Sequence, residues 1–148
     1  MRKVELTFWR LPLWMCIAIW MVVGCTREWN FSISSHVGEQ PEFCFSERSG
    51  CGGNGVQLVS IDIEEVDGRG QRVGVAWSLQ GHSAQQSDFV IKRLTYGVVP
   101  PGWVQSTGPV PLRKGAYYSV MGEFYFILLD DDDVRVYTRE EFFKRSGR

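Results

Sequence analysis

The sequence predicts an all-β domain, an antiparallel β-sandwich of about seven strands. Three observations carry that expectation. Apolar and polar residues alternate with period two in several short runs, as half-buried strands require. Turn residues separate those runs, and four prolines crowd into positions 97–111. Helical periodicity is almost absent. The 148 residues suit one domain, since single cores run to roughly 100–200 residues.

Phe43 and Phe45 alternate around Cys44 in the first clear run. Val59, Ile61 and Ile63 alternate with Ser60, Asp62 and Glu64; Val73, Val75, Trp77 and Leu79 alternate with Gly74, Ala76, Ser78 and Gln80. Asp67-Gly68-Arg69-Gly70 supplies the reversal between them, so the two runs form a hairpin. Residues 81–87 are a polar loop. Residues 88–96 (DFVIKRLTY) are apolar on both faces, which predicts a central or partly covered strand. Pro100, Pro101, Pro109 and Pro111 make 97–111 mostly irregular or an edge. Residues 116–121 and 123–129 are further strands, 134–137 follows an acidic turn, and 140–144 (EEFFK) adds a helical turn. Of the two tyrosines in the AYYSVM run, Tyr118 suits a corner role, its hydroxyl bonded to backbone. The layout has immunoglobulin or fibronectin type III character. Strand order stays open, and an up-and-down barrel around a small-molecule cavity is the alternative.

The start of the chain has a different composition. Arg2, Lys3 and Arg10 precede an apolar stretch at 11–23 (LPLWMCIAIWMVV). That stretch is shorter than the roughly 20 residues of a membrane-spanning helix. It ends in Val22-Val23-Gly24-Cys25, which resembles the lipobox of bacterial lipoprotein signals. We therefore expect a signal peptide at 1–24, cleavage between Gly24 and Cys25, and a diacylglycerol on the Cys25 thiol. In such proteins the new amino terminus is usually acylated too, and two or more chains anchor stably at roughly 0.8 kcal/mol per buried CH₂. An ordinary secretory signal or an uncleaved anchor are the other readings. Thr26 stands where inner-membrane lipoproteins of the enteric type carry Asp, which points to the periplasmic face of the outer membrane. Residues 25–40 are expected to be a lipidated tether and 41–148 the sandwich, although Trp29 and Phe31 offer a first strand instead.

Cleavage removes Arg2, Lys3, Arg10 and Glu5 and takes the net charge from −1 to −3. No basic field is left to hold nucleic acid. Cys16 leaves with the signal and Cys25 is lipidated, so Cys44 and Cys51 remain in an oxidising compartment. A disulfide between them is the economical assignment. A metal pair completed by His36 or His82 is the rival, but the spacing lacks the tight C-x-x-C of zinc sites.

Residues with chemistry are sparse. His36 and His82 are the imidazoles of the mature chain, and Gly81-His82-Ser83 has neither a nucleophile elbow nor an acidic orienter. The Gly-rich stretch at 50–55 lacks the Lys-Ser/Thr ending of a phosphate loop. We expect no enzyme, no cofactor and no metal. Asp130, Asp131, Asp132 and Asp133 form a solvated hairpin tip, a calcium site, or an acidic recognition surface that would steer a basic partner. Trp103, after Pro100-Pro101-Gly102, is a core plug or an interface anchor. Trp103 and the four aspartates are the partner-binding candidates.

The lipobox ending in Cys25, the PEFCF segment at 41–45, the β-rich middle and the G-x-Y-Y-S stretch at 115–119 together resemble small periplasmic lipoproteins that act as immunity proteins of type VI secretion systems. The likeness covers most of the mature chain in layout through short motifs, and matches the position of Cys44. The Cys51 loop and the aspartate run are not part of it, and no binding residue is carried over. The resemblance implies a stoichiometric binding protein that meets a toxic effector in the periplasm and covers its active site. The competing class is a structural or assembly lipoprotein of an envelope or secretion complex; a ligand carrier or enzyme comes third.

Overall fold

Period-two alternation sends large apolar side chains to one face of each of two sheets, and those faces close on one another. The computed structural model describes residues 29–35, 40–47, 51–82, 90–129 and 133–147. The expected signal, Gly24, Cys25, His36 and Asp130 to Asp132 lie outside the described residues. The elements are β1 (Asn30–Ser34), β2 (Glu42–Ser46), β3 (Val56–Gln57), β4 (Ser60–Val66), β5 (Arg72–Gly81), β6 (Val90–Ile91), β7 (Arg93–Thr95), β8 (Trp103–Thr107), β9 (Tyr117–Val120), β10 (Phe124–Leu128), β11 (Val134–Thr138) and α1 (Arg139–Arg145).

The chain is an all-β sandwich. One sheet has the order β1-β2-β7, the other β11-β10-β9-β4-β5-β8, and β3 pairs with β6 beside them. Every pairing is antiparallel. Phe31, Phe43 and Phe45 of the smaller sheet meet Ile61, Ile63, Trp77, Leu79, Tyr118, Val120 and Phe126 of the larger one. Aromatic rings make the seam: Phe43 lies 5.8 Å from Phe126, and Trp29 lies 4.8 Å from Phe124 between centroids.

The described residues form eleven strands rather than about seven. The excess is mostly short pieces: β3 and β6 have two residues each and β7 three. Residues 30–34, placed in a tether reaching to residue 40 with a first strand as the alternative, form β1. Phe31 explains it, since only 7% of its surface stays exposed once β1 pairs with β2.

Two further expectations are corrected. In its described part, 90–96, the run at 88–96 is not one central strand. Ile91 in β6 and Leu94 in β7 are both buried, yet they serve different pairings, with β3 and with β2. Its two apolar faces reflect two neighbours in sequence, not two covers on one strand. Val73 does not join Trp77 and Leu79 in the core. Register shifts in the β4–β5 ladder bring Ala76 in beside Trp77 and leave Val73 63% exposed. A bulge inserts one residue and so reverses the facing of all that lie beyond it.

A second apolar cluster lies on the outer face of the larger sheet, where Val66, Tyr125 and Phe142 are buried together. Tyr125 stacks on Phe142 at 4.2 Å, which seats α1 against β10. Thr138 starts that helix with a capping box: its hydroxyl accepts from Glu141 N, and its own N–H donates to the Glu141 carboxylate. Gly70 completes the contact, because a Cβ there would lie 2.8 Å from the Phe143 ring and its φ is +75°.

Candidate functional site

Of the partner-binding candidates, the two that are described, Trp103 and Asp133, do not converge. Trp103 is 7% exposed and belongs to the core; of its two readings, the structure places it as the plug. Asp133 is exposed at the end of the β10–β11 hairpin. β8 and β11 are opposite edges of the larger sheet, five strand spacings or roughly 24 Å apart. Asp133 also does turn work. Its carbonyl accepts from Leu129 N at 2.9 Å, and its Oδ1 accepts from Val134 N at 2.9 Å.

Cys44 and Cys51 are joined by a disulfide, with Cα atoms 5.2 Å apart. It pins the loop before β3 to β2, and Cys44 itself is buried. His82 sits just past β5, where its N–H donates to Gly102 O at 2.8 Å. Among the described residues, no group of three or more His, Cys, Asp or Glu side chains is placed to hold a metal ion.

Two surface regions stand out. The first is an open cleft of about 490 Å³ lined by Glu65, Asp67, Arg113, Lys114 and Tyr117 among others. Its charges are largely committed to one another and to backbone. Arg113 pairs with Glu65, and Asp67 Oδ1 accepts from Arg69 N and Gln71 N at 2.8 Å each. Asp67 thereby shapes the β4–β5 turn. Tyr118 makes the backbone bond expected of it, accepting from Arg113 N at 2.7 Å.

The second region is the β8 edge. Pro101 and Gly102 occupy the centre of a turn closed by Trp103 N donating to Pro100 O at 3.1 Å, and Gly102 has φ +78°. Proline then glycine with positive φ is the chemistry of a type II turn. It delivers the chain into β8 beside β5. Gln105 fastens the strand to the core by accepting the Trp77 indole N–H at 3.1 Å. Beyond β8, Val110 N donates to Ala76 O at 2.9 Å, and the Tyr96 hydroxyl donates to Val110 O at 2.6 Å. Burial pushes the Tyr96 phenol up to about 12, nearby Tyr118 adds to the rise, and the bond to Val110 offsets part of it.

This region combines a sheet edge with exposed Val98, Val99, Val104 and Val110. A hollow of about 360 Å³ lies next to it, lined by Tyr96, Gly97, Val98, Pro109, Pro111 and Gln40. The sequence had marked 97–111 as irregular or an edge, and β8 with its flanks is both. Sequence reasoning missed a second signal in the same place: residues 94–112 contain no Asp, Glu, Lys or Arg, in a chain that is 22% charged. This edge exposes apolar side chains and carries no carboxylate, imidazole, amine or guanidinium group.

No family model matches the chain, and no curated protein or solved structure matches it either.

Proposed function

We propose that this chain is a lipid-anchored periplasmic binding protein, an immunity protein that neutralises a secreted antibacterial effector at the outer membrane. The observation that carries the reading is Val22-Val23-Gly24-Cys25 at the end of a short apolar stretch with basic residues before it. The Cys44–Cys51 disulfide supports an oxidising compartment. The likeness in layout to type VI immunity lipoproteins supplies the role, and the acidic run at 130–133 offers charge for steering a basic effector. In this reading the domain works by occupancy: it covers the effector and turns nothing over.

The uncharged β8 edge favours a second reading, a structural or assembly lipoprotein of an envelope or secretion complex. The two separate experimentally. Labelled palmitate should enter the full-length chain and fail to enter Cys25→Ser; no incorporation into the unsubstituted chain would remove the anchor. Deleting the gene should then sensitise cells to a neighbour that delivers the cognate toxin. Normal survival, together with capture of envelope-complex subunits and no effector, would shift the assignment to assembly.

A further inference from the structure

The lipobox reading sets an attachment point at Cys25, and the fold limits how far from it the domain can stand. The described chain begins at Trp29 and enters β1 at Asn30. Four residue steps separate Cys25 from Trp29, a reach of at most about 14 Å for a fully extended chain. That is less than the length of β4, whose seven residues span roughly 20 Å.

Antiparallel pairing decides which end of the sandwich holds Trp29. Its ring lies 4.8 Å from Phe124, the first residue of β10. Phe124 is opposite Thr138 at the end of β11 and Val120 at the end of β9. Ser60, at the start of β4, is opposite Gln80 near the end of β5. The β4–β5 turn at 67–70, the start of β11 and the open cleft beside Arg113 are therefore at the far end.

The near end has its own chemistry. A hollow of about 230 Å³ opens beside Trp29, lined by Glu47, Val56, Gln57 and Leu58. Val59 follows Leu58, Val90 is paired opposite Gln57, and both valines are exposed. Residues 49–61, which carry three of these lining residues, contain no Asp, Glu, Lys or Arg. Glu47, Glu123 and Arg139 stand around this end, where a polar headgroup layer can still solvate them.

We propose that the Trp29 end of the sandwich is a membrane seat, resting on phospholipid headgroups with Val59 and Val90 toward the bilayer. The inference rests on the lipidation of Cys25 proposed above and deepens that reading. The length of the tether selects the occupant, because lipidation holds this end within about 14 Å of the bilayer surface. The seat needs little affinity of its own. The acyl chains supply the attachment, and a short tether keeps the local concentration of lipid high. A half-buried tryptophan suits that layer, where one side of the ring is apolar and the other wet. Orientation follows: the open cleft and Asp133 face away from the membrane, toward a soluble partner.

The test uses the full chain produced in a bacterial envelope, purified and reconstituted in phosphatidylethanolamine–phosphatidylglycerol vesicles. A fraction of the lipid carries a nitroxide on its headgroup. With Cys25 acylated and Cys44 bonded to Cys51, one introduced cysteine is the free thiol of the mature chain and takes a bimane label. The label at Val59→Cys should be quenched at least about threefold more than at Gly68→Cys, in the far turn. It should exceed Ser34→Cys, at the end of β1 farther from Trp29, by the same ratio. Trypsin resistance and the intact disulfide report the fold. A ratio near one to Gly68→Cys, stronger quenching there, or none at Val59→Cys overturns the seat. Ser34→Cys matching Val59→Cys also overturns it, since the domain would then lie along the β1 edge. Should Val59→Cys fail to fold, Gln57→Cys, exposed at the same end, replaces it with the same expected ratios. Labelled palmitate in the same preparations separates the two levels. A lipidated protein without the contrast overturns the seat alone, and an unlipidated one removes the anchor and the seat together.

Discussion

Phe43 and Phe126 face each other between the two sheets, ring centroids 5.8 Å apart, and neither side chain is exposed. Phe43 belongs to the three-stranded sheet and Phe126 to the six-stranded one, where it also stacks on Tyr118 at 5.2 Å. The pair is a direct tie across the sandwich. Phe126→Ala removes the ring, leaves a cavity under Tyr118 and should cost about 3–5 kcal/mol. Urea unfolding followed by tryptophan fluorescence measures it; a loss below about 1 kcal/mol would mean that the sheets do not depend on this contact.

The Cys44–Cys51 bond closes a loop with a sequence separation of 7. Constraining so short a loop in the unfolded chain should contribute about 2.5 kcal/mol. Changing both cysteines to Ala should lower the unfolding midpoint accordingly while leaving the β-sheet circular dichroism in place. An unchanged midpoint would show that the bridge adds nothing beyond the burial of Cys44.

Tyr96 links three segments, since its hydroxyl donates to Val110 O while lying 3.2 Å from Ala76 O, and its ring packs on Trp77 at 5.2 Å. Tyr96→Phe keeps the ring and leaves the Ala76 and Val110 carbonyls with one donor fewer, a loss of about 1 kcal/mol. The titration gives an independent sign. The folded state holds this phenol near 12 against 10.0 ordinarily. Its contribution is therefore complete below pH 10 and is lost as pH rises through 12. Alkaline unfolding should be less steep in Tyr96→Phe between those limits; identical alkaline curves would contradict the assignment.

Thr138 and Glu141 cap α1 reciprocally. Thr138→Ala should destabilise the helix by about 1 kcal/mol and loosen Phe142 from Tyr125. Hydrogen bonds from Thr138 hold the Glu141 carboxyl below its ordinary 4.5. The cap is thus fully formed above pH 4.5 and weakens as pH falls through the lower, folded value. Protection factors against hydrogen exchange at 139–145 should fall over that acid range in the unsubstituted chain, and should already be low in Thr138→Ala at neutral pH.

Much of the sandwich could be read from local pattern. Ile61 and Ile63 face inward because alternation is a property of the strand itself, and Asp67 with Gly70 turns the chain by local hydrogen bonding and backbone freedom. Val73 and Ala76 could not be placed this way, because the bulges that exchange their faces arise from pairing with β4. Residues 88–96 failed for a related reason: two short strands with different partners leave the same apolar signature as one covered strand. The binding candidates showed the same limit. Trp103 offered two readings, with the core plug the favoured one, and Asp133 was separated from it only by the strand order.

The sequence by itself determined the all-β class, the main hairpin, the pairing of Cys44 with Cys51 and the edge character of 97–111. The class, the hairpin and the edge follow from residue type and spacing within a short stretch, and the cysteine pair from elimination among the four cysteines. Only the tertiary structure decided the strand order, the burial of Trp103 and the exposure of an uncharged β8 edge. Those depend on which strands meet across long loops, and contacts of that kind leave no period in the sequence to read.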